Sequence, residues 1–449
     1  MTLVSELELK SFDYTDPGMY GARFHQAMRE LRAEGWLASG PFGYVVLDRE
    51  AGEFFLRTRA ASFPGMKIAE IFGVTEGPLW EQMKRNILHV NGADHSRLRG
   101  LVNPALSPRA VERYRPMMRG FLEDLLARAT AASPAAASPA AASPAPASPA
   151  PASPASASPA PSLSCEFVEA FAKPYPSQTI ASVMGAPIAD APRLHHWSNW
   201  IQKQFDAASM ASDRAGIERA VEEFYDYARE LVQARREDPG DDLISTLIAA
   251  EEAGDKLSDV ECINLVFNVL VGGVDTSQSQ LAHAVRLLAE RPEQWRALAA
   301  DPSLAESAVE EALRYEPITP FTARILTEEI VYRDVTFPAD SVVMVCAFTG
   351  NRDIDESDDG AATGPAGTAE GFDITTAGRT SEGRHARALT FGAGVHYCLG
   401  ANLARIELQE ALSFLAQKVR DLELDGEPVY EGVTGIYGLA QLPVSFSLS

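Results

Sequence analysis

The sequence predicts a mainly α-helical protein with small β-sheets, built as a single large domain around one long core-crossing helix. Three observations carry this reading. Apolar residues recur mostly at helical spacing, several helices open on recognisable caps, and one apolar stretch is too long and too uniform to lie on a surface. That stretch is expected to form a helix from Ser258 to about Glu290, with 258-SDVE-261 as a capping box and Arg291-Pro292 as a stop signal. At about 1.5 Å per residue it would span roughly 50 Å. Its middle, 263-INLVFNVLVGGV-274, is apolar on every face and must run through a core. A helix of this length in one core makes residues 1–449 a single domain.

Composition narrows the function classes. Among 449 residues, 39 are basic and 62 acidic, a net charge of −23 that disfavours nucleic acid and anionic membrane as partners. A small or neutral substrate fits better. No run of eighteen apolar residues occurs, and the N-terminal MTLVSELELKSFDYTDPG lacks a basic segment followed by an apolar one, so no membrane association and a cytoplasmic location are expected. Four cysteines (Cys165, Cys262, Cys346 and Cys398) lie far apart with no CxxC pair, which suggests neither a disulfide framework nor a zinc ribbon.

Two tracts interrupt the helical pattern. Residues 130–162 are rich in alanine, serine and proline and read as a disordered surface insertion, extended and solvated, after an amphipathic helix at 117–129. Residues 354–371 read as a second flexible loop.

Two segments carry chemistry. Within the apolar helix, 272-GGVDTSQSQ-280 sets two helix-weakening glycines, each costing about 1 kcal/mol against alanine, beside an acid and a hydroxyl. Either the glycines let a ligand approach while Asp275 and Thr276 face it, or the helix is kinked and an arginine satisfies Asp275. Near the C-terminus, 391-FGAGVHYCLG-400 has glycines at 392, 394 and 400, so the backbone can fold tightly and leave Cys398 open to a flat partner with amides aimed at its sulfur. Such a thiolate is a strong soft metal ligand. A structural buried cysteine is the alternative, as is a zinc site with His396, although no second cysteine or further histidine stands nearby at ligand spacing.

The segment FGAGVHYCLGANLAR resembles the haem-binding signature of the cytochrome P450 family. Three further segments match in the expected order: 95-HSRLR-99 is similar to the family's haem-contacting helix, 272-GGVDTS-277 to its oxygen-activating motif and 311-EALR-314 to its Glu-x-x-Arg helix. The resemblance covers nearly the whole chain outside the two tracts and is closest in character to the soluble bacterial branch. It implies a haem-thiolate monooxygenase containing haem b (iron protoporphyrin IX), using O2 and electrons from a separate ferredoxin and ferredoxin reductase.

Carried over by position, Cys398 is the axial iron ligand, and His95, Arg99, Arg324 and His396 pair with the haem propionates. Phe391 packs beside the sulfur, Gly392 belongs to the same haem-binding turn, and Gly400 lets the following helix come close. On the opposite face Gly272 and Gly273 open the helix groove to dioxygen, Thr276 hydrogen-bonds the oxygen, and Asp275 relays protons. Glu311 and Arg314 form a structural ion pair with a third group in the loop 372–390. There Thr376 stands where many relatives have arginine, and Arg379 is the expected substitute.

The family's pocket regions supply Phe63, Met66, Ile68, Phe72 and Trp80, then Trp197, Trp200, Phe205 and Met210, then Ile318, Phe321, Ile436 and Tyr437. About half should face the pocket, since aromatic and methionine side chains at helical spacing also build cores. Asn268, polar in an apolar run, is expected to hydrogen-bond the substrate. An apolar pocket points to a hydrophobic small molecule of secondary metabolism or catabolism, hydroxylated or epoxidised. Peroxide-driven oxygenation, oxidative coupling or cyclisation, and a non-catalytic haem-bearing binding module are the alternatives. Arg97, Arg109 and Arg113 are expected to dock an acidic ferredoxin.

Overall fold

The apolar core helix is present as two consecutive segments, Asp259–Gly272 and Asp275–Ala289. The computed structural model describes residues 1–133, 162–252, 257–353, 370–375 and 388–449. Ser258 caps the first segment as expected, its side chain accepting from the Glu261 amide while Glu261 accepts from the Ser258 amide at 2.8 Å. The uninterrupted helix to Glu290 is corrected by a two-residue break at Gly273 and Val274. Here the Gly273 amide is shared between Val269 O (3.1 Å) and Leu270 O (3.3 Å), and the ladder resumes with Gln278 N–H donating to Val274 O at 3.1 Å. Two adjacent glycines lower the resistance to such a break.

Helices surround both segments. Ala191–Gln202 and Arg214–Glu237 pack on the first, while Ala305–Tyr315 and Ala401–Lys418 pack on the second. Among the described residues, only Asp259–Ala289 is long and apolar enough to cross a membrane, and most of its apolar window is buried inside the protein. It is a core helix.

The sheets are small and peripheral. The largest has five strands in the order Leu37–Gly40, Gly43–Val46, Val342–Cys346, Phe321–Leu326 and Ala61–Ser62. Gly43, with φ +140°, closes the hairpin so tightly against the next strand that a Cβ there would run into the carbonyl oxygen of Val342. Val419–Leu424, Pro443–Leu448 and Leu163–Glu166 form a second sheet, which the last strand of the chain joins to a strand nearly three hundred residues earlier. Thr2–Leu3, Val335–Phe337 and Ile330–Tyr332 form a third, and Val429–Tyr430 pairs with Leu439–Gln441.

The alanine-rich tract and most of the second loop lie outside the described residues. On either side of the first, helix Arg115–Ala132 ends at Ser133, whose hydroxyl oxygen accepts from the Ser164 amide at 3.1 Å, so the flanks meet. The N-terminal helix Gly21–Glu34 is tied to the chain's far end, its Gly21 amide donating to the Tyr437 hydroxyl at 2.8 Å across 416 positions. Beneath it a buried ion cluster joins His25 Nε2 to Glu316 Oε1 (2.8 Å) and Arg286 Nη2 to Glu316 Oε2 (2.7 Å).

Candidate active site

A cavity of about 500 Å³ is bounded by the core helix, helix Gly92–Val102, strand Phe321–Leu326 and the turn from Phe391 to Gly400. The turn folds back on itself: Gly392 (φ +69°) donates to Leu389 O at 2.7 Å, and Cys398 N–H donates to Phe391 O at 2.9 Å. Gly394, at φ +73°, lies so close to residue 56 that a Cβ would sit 2.6 Å from Leu56 O.

Helix Ala401–Lys418 begins immediately after Gly400, which brings its first amides to the Cys398 sulfur. Cys398 is exposed, but to the cavity. Protein surrounds it, and burial pushes its thiol upward while the Gly400 and Ala401 amides and the charges of Arg99 and Arg405 pull it back. The Arg405 guanidinium lies 4.5 Å from the centre of the Phe391 ring and donates to Glu310 Oε1 at 2.5 Å.

The glycines divide into two groups. A Cβ added at Gly272, Gly392 or Gly400 would meet nothing within 4 Å, and all three line the cavity, so together they leave room for a flat body. Gly400 borders the cavity directly before helix Ala401–Lys418. Gly273 also lines the cavity, but a Cβ there would fall 2.7 Å from Ile180 Cδ1, so its missing side chain makes room for helix Pro174–Met184 as well.

Four basic side chains meet at one side of the cavity. His95 is 3% exposed with no partner at Nε2, and its ring lies 4.3 Å from that of His396. His396 Nε2 is 3.1 Å from Asn91 Oδ1, and its pKa is held down to about 3 by burial and by the nearby His95, Arg324 and Arg99. Arg324, also 3% exposed, donates to Ala323 O at 2.9 Å, and burial lowers its pKa to about 10. Arg99 donates to Tyr397 O at 2.7 Å. Among the described residues no carboxylate pairs with any of the four. A guanidinium taken out of water without an anion is costly, and a flat dianionic group in the cavity would supply the charge missing beside Arg99 and Arg324, with the His95 and His396 rings as hydrogen-bond donors. Haem has that shape and charge, and the residues present fit it.

Across the cavity, Thr276 lines the wall and donates to Gly272 O at 2.8 Å. Asp275 does not face the cavity. Its Oδ2 accepts from the Ser198 hydroxyl at 2.5 Å on helix Ala191–Gln202, and Oδ1 has no hydrogen-bond partner. Both readings of the acid are thus corrected, since it neither points at a ligand beside Thr276 nor meets an arginine. Burial raises its pKa to about 7, against the Ser198 hydrogen bond and with the help of Glu431. Glu407 was not anticipated. It lines the cavity at 2% exposure, and burial raises its pKa to about 8 against the Ser277 and Thr179 hydroxyls. Its one sequence signal is an acid between Ile406 and Leu408 on a helix otherwise apolar at those positions.

Glu311 and Arg314 form the expected buried pair, with Nε to Oε2 at 2.7 Å and Nη2 to Oε1 at 2.8 Å. The loop joins it through backbone, Arg314 donating to Gly371 O at 2.5 Å and the Asp373 amide donating to Glu311 Oε1 at 2.8 Å. Thr376 and Arg379 lie outside the described residues.

Of the pocket candidates, Phe63, Ile68, Phe72, Phe205, Asn268, Ile318, Phe321 and Ile436 line the cavity. Met66 and Tyr437 do not. Met66 packs on the main core, and Tyr437 is fully buried with its ring against Tyr430 and His283. Trp80, Trp197, Trp200 and Met210 are also absent from the wall; Trp197 packs on Phe224 and Tyr227, and Trp200 lies under Lys203 at 4.0 Å. Ile180, Gln202 and Thr322 line it without having been expected to. Of the three docking arginines, Arg97 is engaged by Glu261 (2.5 Å) and Asp94 (3.4 Å), and Arg113 by Asp241 (2.8 Å). Arg109 is exposed.

Comparison with known proteins agrees with this geometry. The family model described as Cytochrome P450 matches residues 195–425, from helix Ala191–Gln202 through the Cys398 turn. The chain is 29% identical to "Luteothin monooxygenase" of Streptomyces thioluteus over 98% of this chain and 96% of that protein. It is 32% identical to "Mycinamicin IV hydroxylase/epoxidase" of Micromonospora griseorubida over 77% of this chain and 75% of that protein. The crystal structure of CalO2 superposes with a TM-score of 0.81 at 28% identity, covering 98% of this chain and 99% of that one. With a cavity that fits haem, a thiol at its centre and matches along nearly its full length, this chain belongs to the cytochrome P450 family of oxidoreductases and is a bacterial-type monooxygenase acting on a hydrophobic substrate.

Proposed function

We propose that the protein holds haem b through Cys398, takes electrons from a separate ferredoxin and its reductase, and hydroxylates or epoxidises a hydrophobic small molecule of secondary metabolism in the cytoplasm. The observation that carries this reading is the set of four basic side chains, two of them buried and none paired with an acid among the described residues, that line the same cavity as the Cys398 thiol. The names of two relatives, a luteothin monooxygenase and a mycinamicin IV hydroxylase/epoxidase, support oxygen insertion by hydroxylation or epoxidation.

When bound, haem supplies dioxygen activation and oxygen-atom transfer, tuned by thiolate donation. The chain's residues do the rest. Arg99 and Arg324 would neutralise the propionates, and His95 and His396 would hydrogen-bond them. The Gly400 and Ala401 amides stabilise the Cys398 thiolate, and Phe391 shields it from water. Thr276 presents a hydroxyl to the distal side, where it can exchange its bond to Gly272 O for one to oxygen. Asp275, with a pKa of about 7, can hold or release a proton near neutral pH. Phe63, Phe72, Ile318, Phe321 and Ile436 exclude water from the substrate space, and Asn268, whose side chain has no hydrogen-bond partner among the described residues, orients the substrate.

The test is an optical one. The carbon monoxide spectrum of the reduced protein should show a thiolate-type band, and a panel of hydrophobic compounds should shift the ferric Soret band. Turnover of a shifting compound with NAD(P)H, reductase and ferredoxin, but not with hydrogen peroxide alone, is the expected result. Turnover on peroxide alone would replace the ferredoxin reading with a peroxygenase.

A further inference from the structure

We propose that His195 is the residue through which protons from solvent reach Asp275, a positioning residue for proton delivery to the distal side of the cavity. The proposal rests on the reading of Asp275 as the proton carrier.

Asp275 is 5% exposed, and its two oxygens differ. Oδ2 is occupied by the Ser198 hydroxyl at 2.5 Å, whereas Oδ1 has no hydrogen-bond partner. A buried carboxylate oxygen left unpaired is costly, and the nearest basic group explains why it is left so. His195 Nε2 lies 3.9 Å from Oδ1 and 2.9 Å from Gln278 Oε1. His195 and Ser198, three apart on one helix, face Asp275 and Gln278, three apart on the other.

The His195 side chain is 21% exposed and that of Asp275 only 7%, so the imidazole touches both solvent and carboxyl. Gln278 accepts from Nε2 and thereby keeps the ring proton on the nitrogen nearer the acid. A ring movement of about 1 Å would bring Nε2–H from Gln278 to within hydrogen-bonding reach of Oδ1. In the transfer the Nε2–H bond breaks and an Oδ1–H bond forms, while Nδ1 takes a proton from solvent. The ring stays neutral overall and its tautomer resets through water.

The surrounding charges do not supply a rival route. Lys173, Glu169 and His196 act on His195, and Glu431 and Lys173 on Asp275, in each case through space. The Asn199 side chain also hydrogen-bonds toward the carboxyl and pulls its pKa down, but an amide has no titrating proton to pass on. Burial lowers the His195 pKa, with Gln278 opposing, so the neutral ring is the resting form.

The test follows the Asp275 carboxyl itself in the ferric holoenzyme. Its protonated infrared band is identified as the one lost in Asp275→Asn, and its exchange is timed after mixing with D2O. His195→Phe should slow that exchange roughly tenfold or more. In reactions with NADPH, a plant-type ferredoxin and its reductase, and the panel compound giving the largest Soret shift, the same variant should raise the solvent isotope effect and the share of electrons lost as hydrogen peroxide. His195→Asn, which keeps a polar side chain, guards against a packing artefact and should behave like His195→Phe. Wild-type exchange in either well-folded variant overturns the proposal. If Asp275→Asn leaves isotope effect and peroxide yield unchanged, the carrier reading of Asp275 fails first and takes the proposal with it; a strong Asp275→Asn effect with silent His195 variants removes His195 alone.

Discussion

Two groups of basic side chains, one around Glu316 and one at the cavity beside Cys398, are built on opposite rules. In the first, His25, Arg286 and Glu316 close on one another at 2.7 and 2.8 Å; burial alone would raise the Glu316 pKa, yet His25 and Arg286 outweigh it and hold the acid near 2. In the second, His95, Arg99, Arg324 and His396 gather with no acid among the described residues. A closed cluster fastens helices to one another whatever else is bound. An open one is finished only when an anion arrives, so it marks a ligand site more reliably than the volume of the cavity does.

The sharpest break is at the centre of the open group. Cys398→Ser should abolish the thiolate-type carbon monoxide band and all turnover, because among the described residues no second cysteine lines the cavity. Next in size, Glu316→Gln strands the buried Arg286 and should cost about 3–5 kcal/mol of stability, with or without ligand, measured by denaturant melts. Arg324→Gln should do the reverse. It removes a buried cation that has no acid partner, so the melt should hold or improve while haem is lost to apomyoglobin roughly tenfold faster. If both variants lose stability alike, the distinction between the clusters fails.

Asp275 tests the same rule through pH. Its pKa is raised from 3.8 to about 7, so the native state binds the extra proton and stability falls as pH climbs between those values. Asp275→Asn should therefore match wild type below pH 4 and exceed it above pH 7, by up to about 4 kcal/mol. The smallest change is expected from Asn268→Leu, which should leave stability within about 1 kcal/mol and alter only which compounds shift the Soret band and where they are oxidised.

The Cys398 turn was legible in the sequence because its glycines and cysteine answer to backbone geometry, which a local pattern encodes. The Gly272-Gly273 pair was legible as a weak point, but not as two glycines with different duties, since only the packing of Ile180 separates them. The direction of Asp275 was hidden for the same reason. Which face of a helix a residue joins depends on the helix laid across it, and Ser198 and His195 lie almost eighty positions away. Trp197, Trp200 and Met66 were misplaced because an apolar side chain at helical spacing suits a core as well as a pocket. Glu407 gave the clearest missed signal: an acid in an apolar stretch after the signature.

The bond between the Gly21 amide and the Tyr437 hydroxyl has a bearing on biosynthesis. A ribosome adds residues one at a time, so the first helix must wait for almost the entire polypeptide before its anchor exists. The same holds for Leu163–Glu166, whose sheet partner is the final strand. Loop closure over such separations is slow, and the nascent chain will expose its apolar helices in the meantime. Yield in a heterologous host should therefore depend on chaperone supply and translation speed more than on the equilibrium stability of the finished enzyme.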